Sequence, residues 1–163
     1  MDYVNEAVNI NKDLIFVAVP KTGTTSVRKQ LRQKGKAFLP YPHLNILQIR
    51  TAIDLFFLAS NLCKNKSFPN TNVKSNEQIK LEAEKFFQKA FKFASVRNPW
   101  ERAVSLYFRK EGVQVSKSIS FEEFVEHHFY ASDTCAIPSL HKNQFDWLSD
   151  ENGELTIFIT QPI

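Results

Sequence analysis

The sequence predicts an α/β fold, a parallel sheet with helices on both faces, and three observations carry that expectation. Three short apolar runs, Leu14–Val19, Phe91–Val96 and Leu155–Thr160, are rich in β-branched and aromatic residues and read as buried strands. Apolar residues at helical spacing lie between them. The resulting order of strand, helices, strand, helices, strand suits crossover connections between parallel strands, with the helices packed on the sheet. A chain of 163 residues fits one domain, 1–163, with enough length to bury a core.

Taken in order, the first strand runs into Pro20-Lys21-Thr22-Gly23-Thr24-Thr25-Ser26, and a helix follows from about Thr24. A short extended run, Ala37 to Tyr41, precedes a helix from about Asn45 to Ala59, whose Ile46, Ile49, Ile53, Phe56 and Phe57 recur at helical spacing. Ser75 with Gln78 opens a third helix towards Ala90. Asn98-Pro99-Trp100-Glu101 places an N-cap, a proline at the first helical position and a glutamate at the third, a capping-box arrangement. Ser120 and Glu123 repeat that logic before Phe124. Two polar stretches, Asn61 to Asn76 and Ala131 to Asn143, read as long loops, disordered or functional.

Composition narrows the function classes. Hydrophobic residues make up 43% and charged residues 23%, ordinary values for a globular chain, and 15 Phe against 4 Gly point to a core of large rings. The net charge of +4 suits an anionic ligand but not nucleic acid, which needs clustered Lys and Arg. Cys63 and Cys135 have neither a CxxC partner nor a His at ligand spacing, so two buried or partly buried free thiols are expected rather than a disulfide or zinc site. The polar start, Met1 to Glu6, lacks the pattern of a signal peptide, and the apolar runs are too short to span a bilayer. A cytoplasmic protein without a membrane span is the expectation.

The stretch after the first strand carries the sharpest chemistry. Gly23 permits a tight backbone path that aims successive N–H groups inwards, and a helix N-terminus adds unpaired donors and partial positive charge. Lys21 adds a full charge, and the threonines add hydroxyls. Together they form a P-loop-like cradle for phosphate or sulfate; the alternative is a capped turn with a surface lysine. It is not a Walker A loop, because the lysine precedes the only glycine, and no strand ends in an aspartate that could hold magnesium. A nucleoside-triphosphate kinase is therefore disfavoured.

Arg97 stands at the carboxyl end of the second strand, where ligands gather in open α/β sheets, and its fork suits bidentate phosphate binding. Ser105 lies about two helical turns past the N-cap, on the face of the helix start, so the two could clasp one phosphate. By themselves they could equally be a capping arginine and a small buried residue.

The two stretches together resemble the sulfotransferases that use 3′-phosphoadenosine 5′-phosphosulfate (PAPS). Pro20 to Thr25 is similar to their 5′-phosphosulfate loop, and Arg97 to Tyr107 to their 3′-phosphate motif, RNPxxRxxSxY. The carbohydrate sulfotransferase branch is the most similar, through Phe91 to Ala94, Ser120 to Phe124 and the QxDWLxDxxG pattern at Gln144 to Gly153. The resemblance implies transfer of a sulfuryl group from PAPS to an acceptor hydroxyl, with a carbohydrate as acceptor, no metal, and adenosine 3′,5′-bisphosphate (PAP) as product. Lys21 would act on the oxygen linking sulfur to the departing phosphate. The N–H groups of Thr22, Gly23, Thr24 and Thr25 would hold the 5′-phosphate, with the Thr24 and Thr25 hydroxyls, and Arg97 and Ser105 the 3′-phosphate. Arg102 would brace the motif and Tyr107 pack beneath it.

A hydroxyl acceptor gains from a base, and four histidines are available: His43, His127, His128 and His141. The resemblance points to His43, after the second extended run; a capping or solvent-facing role is the alternative. His127 and His128 suit a helix C-terminus, and His141 a surface loop. Arg28, Lys29, Arg32, Lys34 and Lys36 form a basic cluster, either a solvated face or an attractor for anions. The family pattern continues past the third strand with a further segment that closes the nucleotide site, so a PAPS- or PAP-binding module without turnover is the second expectation.

Overall fold

The computed structural model describes residues 1–67, 74–108, 116–126, 143–155 and 157–160. Its strands are β1 (Val8–Asn9), β2 (Leu14–Val17), β3 (Phe91–Ser95) and β4 (Phe158–Thr160), and they form one mixed sheet in the order β1-β2-β3-β4. The helices are α1 (Thr24–Leu31), α2 (Ile46–Ser67), α3 (Asn76–Lys89), α4 (Pro99–Tyr107), α5 (Phe121–Phe124) and α6 (Gln144–Leu148).

β2 organises the packing. Its period of two sends Ile15 and Val17, with Val19 beyond, into the main cluster, where Ile46, Ile49 and Ile53 of α2 and Ala83, Phe86 and Phe87 of α3 meet them. Phe16 and Ala18 point the other way, to a smaller cluster with Ala7 and partly buried Val27 and Leu31 of α1. Each fully buried Ile or Val of this kind contributes about 1.5–3 kcal/mol. A third cluster joins Leu106 and Tyr107 of α4 to Phe124 of α5.

β2, β3 and β4 are parallel, with Leu14 opposite Phe91 and Phe93 opposite Phe158. The expected all-parallel sheet needs one correction: β1 runs antiparallel to β2, pairing Val8 with Ile15. Only a 3-10 turn at Ile10–Lys12 and a left-handed Asp13 (φ 48°) separate them, too little chain for a crossover. Residues just before β1 are also built into the fold. The amides of Phe38 and Leu39 donate to the carbonyls of Tyr3 and Val4 at 2.8 and 2.9 Å, and Val4, Ala7 and Val8 are buried.

Two boundaries and one cap differ most from expectation. α2 runs to Ser67 rather than ending near Ala59, because no proline interrupts its polar second half before Pro69. It is also long and apolar enough, over Ile46–Cys63, to cross a membrane by length and composition, contrary to the reading of short apolar runs; here its apolar face packs in the main cluster. β4 starts at Phe158 rather than Leu155, because a turn centred on Asp150, whose carboxylate accepts from the Asn152 and Glu154 amides, turns Leu155 back to pair with Ser149. At α4 the Asn98 side chain caps the Trp100 amide (3.0 Å), but Glu101 completes no capping box and pairs instead with Arg97. The capping boxes at Ser75/Gln78 and Ser120/Glu123 form as the sequence suggests.

Candidate active site

The loop leaving β2 is shaped by two left-handed residues. Gly23 at φ 79° is the N-cap of α1, and with no side chain it leaves the first-turn donors of that helix uncapped. Lys21 adopts φ 66°, a conformation that costs a non-glycine residue about 1–2 kcal/mol. A lysine kept where glycine would be relaxed marks a position chosen for its side chain. Thr22 points inwards: its hydroxyl donates to the Val19 carbonyl (2.9 Å) and lies 3.1 Å from Ser95 Oγ, which itself donates to the Thr22 carbonyl (2.9 Å). The loop is thus stitched to β3 from below, and of Thr22 only the main chain is left for a ligand.

β3 delivers the second half. The Arg97 backbone, two residues past Ser95, is held by the Gln144 side chain, whose Oε1 accepts from the Arg97 amide (2.9 Å) and whose Nε2 donates to its carbonyl (2.8 Å). Arg97 Nε donates to Glu101 one turn along α4 (3.0 Å). Arg102, 2% exposed, donates from Nε to the Pro20 carbonyl (3.1 Å), so α4 grips the loop after β2 directly. Burial lowers the Arg102 pKa to about 10, which leaves it charged at neutral pH.

Pro20, Lys21, Gly23, Thr24 and Thr25 from the first half and Arg97 and Ser105 from the second line one open cavity of about 660 Å³. His43, Tyr41 and Arg28 complete its wall. His43 Nδ1 lies 2.7 Å from the Ala18 carbonyl, which can only accept, so the ring proton sits on Nδ1 and the lone pair on Nε2. Burial pushes the His43 pKa below its ordinary value; the Ala18 carbonyl partly opposes that, and the nearby Arg28 charge adds to it. Such a ring is neutral and basic near pH 7.

The sequence profile of the sulfotransferase family matches residues 7–153, both halves of this site included. The chain belongs to that family. Neither a curated protein nor a solved structure matches it significantly.

Within the sulfotransferase domain the cavity brings together seven of the eight site residues named from the sequence: Lys21, Gly23, Thr24, Thr25, His43, Arg97 and Ser105. The eighth, Thr22, contributes no side chain to that wall. Arg102 braces the loop, and Tyr107 packs against Phe121 and Phe124 while its hydroxyl donates to the Ile119 carbonyl (2.8 Å). His43 does not arrive on a strand of the sheet; the run before it lies along residues 2–4, and the Ala18 carbonyl fixes its ring.

Sequence reasoning missed four contributors. Arg28 was grouped with a basic cluster, but Lys29, Arg32, Lys34 and Lys36 are exposed, whereas Arg28 faces the cavity with Nε and Nη2 donating to Glu6 Oε2 at 3.0 and 2.6 Å. Its position three residues past Thr25, on the same helix face, was the available signal. Glu6 and Tyr41, whose ring stands edge-on to His43 at 5.7 Å, are placed by long-range packing and gave none, whereas Gln144 opens the QxDWLxDxxG pattern, which marks the position but not its contact with Arg97. Cys63 keeps its thiol but is exposed, against the expectation of a buried or partly buried one, and His127, His128, His141 and Cys135 lie outside the described residues.

Proposed function

We propose that this sulfotransferase moves the sulfuryl group of PAPS to a hydroxyl of a carbohydrate acceptor. The observation that supports it best is the shared cavity, where a phosphate-type loop with its lysine, an arginine–serine pair and a neutral histidine converge from three separate stretches of sequence. In this reading the sheet and its helices make a P-loop-like platform, with α1 on one side of β2 and α2 and α3 on the other. PAPS enters as co-substrate, not as a resident group.

Each residue has one task. The α1 N-terminus and the loop amides take the 5′-phosphate, and Arg97 with Ser105 takes the 3′-phosphate. The acceptor oxygen attacks sulfur, the bond from sulfur to the 5′-phosphate oxygen breaks, and PAP departs. His43 Nε2 takes the acceptor proton, and Lys21 offsets the charge growing on the bridging oxygen. Positioning and electrostatics then supply the acceleration. The carbohydrate assignment is supported by the resemblance at Ser120–Phe124 and Gln144–Gly153 and by the exposed Tyr41 ring beside His43, a flat apolar platform for a sugar face.

Incubation with PAPS and a panel of saccharides and simple phenols, read by mass spectrometry, tests the reading. Equimolar PAP and sulfated saccharide are expected. Sulfation of the phenols alone would overturn the carbohydrate part, and no PAP from any acceptor would overturn the transfer.

A further inference from the structure

The structure assigns to Gln144 a positioning role: its side-chain amide sets the Arg97 main chain so that the guanidinium addresses a nucleotide 3′-phosphate, making Gln144 a determinant of donor selectivity. The assignment rests on the proposed role of Arg97 in holding that phosphate.

Arg97 stands where the sheet has ended. β3 stops at Ser95, the last pair with β4 among the described residues is Ser95 opposite Thr160, and α4 begins only at Pro99. A residue in such a gap has a backbone donor and acceptor with no ladder partner. Gln144 supplies both, at 2.9 and 2.8 Å, in the reciprocal pattern that a neighbouring strand would provide. A primary amide is the side chain that can do this, because it carries an acceptor and a donor side by side.

Gln144 is itself anchored. It is the first residue of α6, capped by Asn143, and three residues on Trp147 and Leu148, each 1% exposed, are sunk in the main core. The brace therefore runs from the core through α6 to the Arg97 backbone. A second brace acts on the side chain, where Glu101 accepts from Nε. With backbone and Nε both held, Arg97 is restrained where it lines the cavity. Ordering the guanidinium before the ligand arrives removes an entropic cost of binding.

The test compares PAP with adenosine 5′-phosphate by isothermal titration in the wild type, Gln144→Met and Ile53→Val. Methionine keeps the length of glutamine and removes both hydrogen bonds. Ile53→Val is a core control that lowers stability without touching the site. Thermal melts confirm that each variant is folded. The wild type binds PAP more tightly than the 5′-phosphate. In Gln144→Met that preference falls about tenfold, with affinity for the 5′-phosphate unchanged, while in Ile53→Val it stays at the wild-type value. An unchanged preference in Gln144→Met, an equal loss for both nucleotides, or the same fall in Ile53→Val would overturn the positioning role. A wild type that does not discriminate would instead overturn the reading of Arg97, and the role of Gln144 with it. If Gln144→Met does not fold, Gln144→Glu, which keeps the acceptor and loses the donor, takes its place with the same criteria.

Discussion

Replacing His43 with asparagine removes the proposed base and keeps a donor within reach of the Ala18 carbonyl, the 2.7 Å contact that orients the ring. Stability should therefore fall by no more than about 1 kcal/mol, the worth of one altered hydrogen bond. Turnover should fall about 10²–10⁴-fold, the usual contribution of a positioned base, with PAP affinity unchanged. The pH dependence is the sharper test. Burial and Arg28 hold the His43 pKa of the free protein below 6.5, so kcat/KM for PAPS in the wild type should rise with pH, with its midpoint below that value, and be flat at neutral pH. Arg28→Gln removes a charge that favours the neutral ring, so the midpoint moves up. The same shift couples to folding: between the folded pKa and about 6.5 the unfolded chain binds more protons than the folded one, so stability declines as pH drops through that window. Stopped-flow release of PAP across pH 5 to 8, with urea melts at the same pH values, measures both. A midpoint above 6.5, or full turnover by His43→Asn, would refute the role of His43.

Lys21→Ala should lower kcat more than PAP affinity, because the charge it meets grows only in the transition state; steady-state kinetics beside PAP titration separates the two. Thr22→Val should cost about 1–2 kcal/mol in urea melts, since it takes a buried hydroxyl from the Val19 carbonyl and Ser95, yet the wild-type KM for PAPS should survive. Arg102→Ala should cost about 3 kcal/mol through lost packing and a loosened Pro20 carbonyl, and should weaken nucleotide binding although Arg102 does not line the cavity.

The loop and the Arg97 motif were legible because their chemistry is local. A glycine at a required left-handed position, a lysine beside it and a helix start can all be read within seven residues. The strands from Leu14 and Phe91 were legible for a similar reason, since buried parallel strands are continuous apolar runs. β1 was not, because two residues carry no period, and its pairing depends on the turn at Ile10–Lys12. Glu101 shows the limit from the other side: the same residue satisfies the pattern of a capping box and of an i, i+4 ion pair with Arg97, and only the fold chooses the second. Glu6 and Tyr41 reach the site by tertiary packing across many residues, so no local pattern announces them, and the pattern that opens at Gln144 does not state which backbone its amide meets.

In the proposed function the cavity holds a nucleotide bearing a 3′-phosphate and a 5′-phosphosulfate. Titration of the purified protein with PAP and with ATP, each with and without magnesium, tests it most directly. PAP should bind at least about a hundredfold more tightly than ATP, and magnesium should change the PAP affinity little. ATP binding as tightly as PAP, or only with magnesium present, would contradict it.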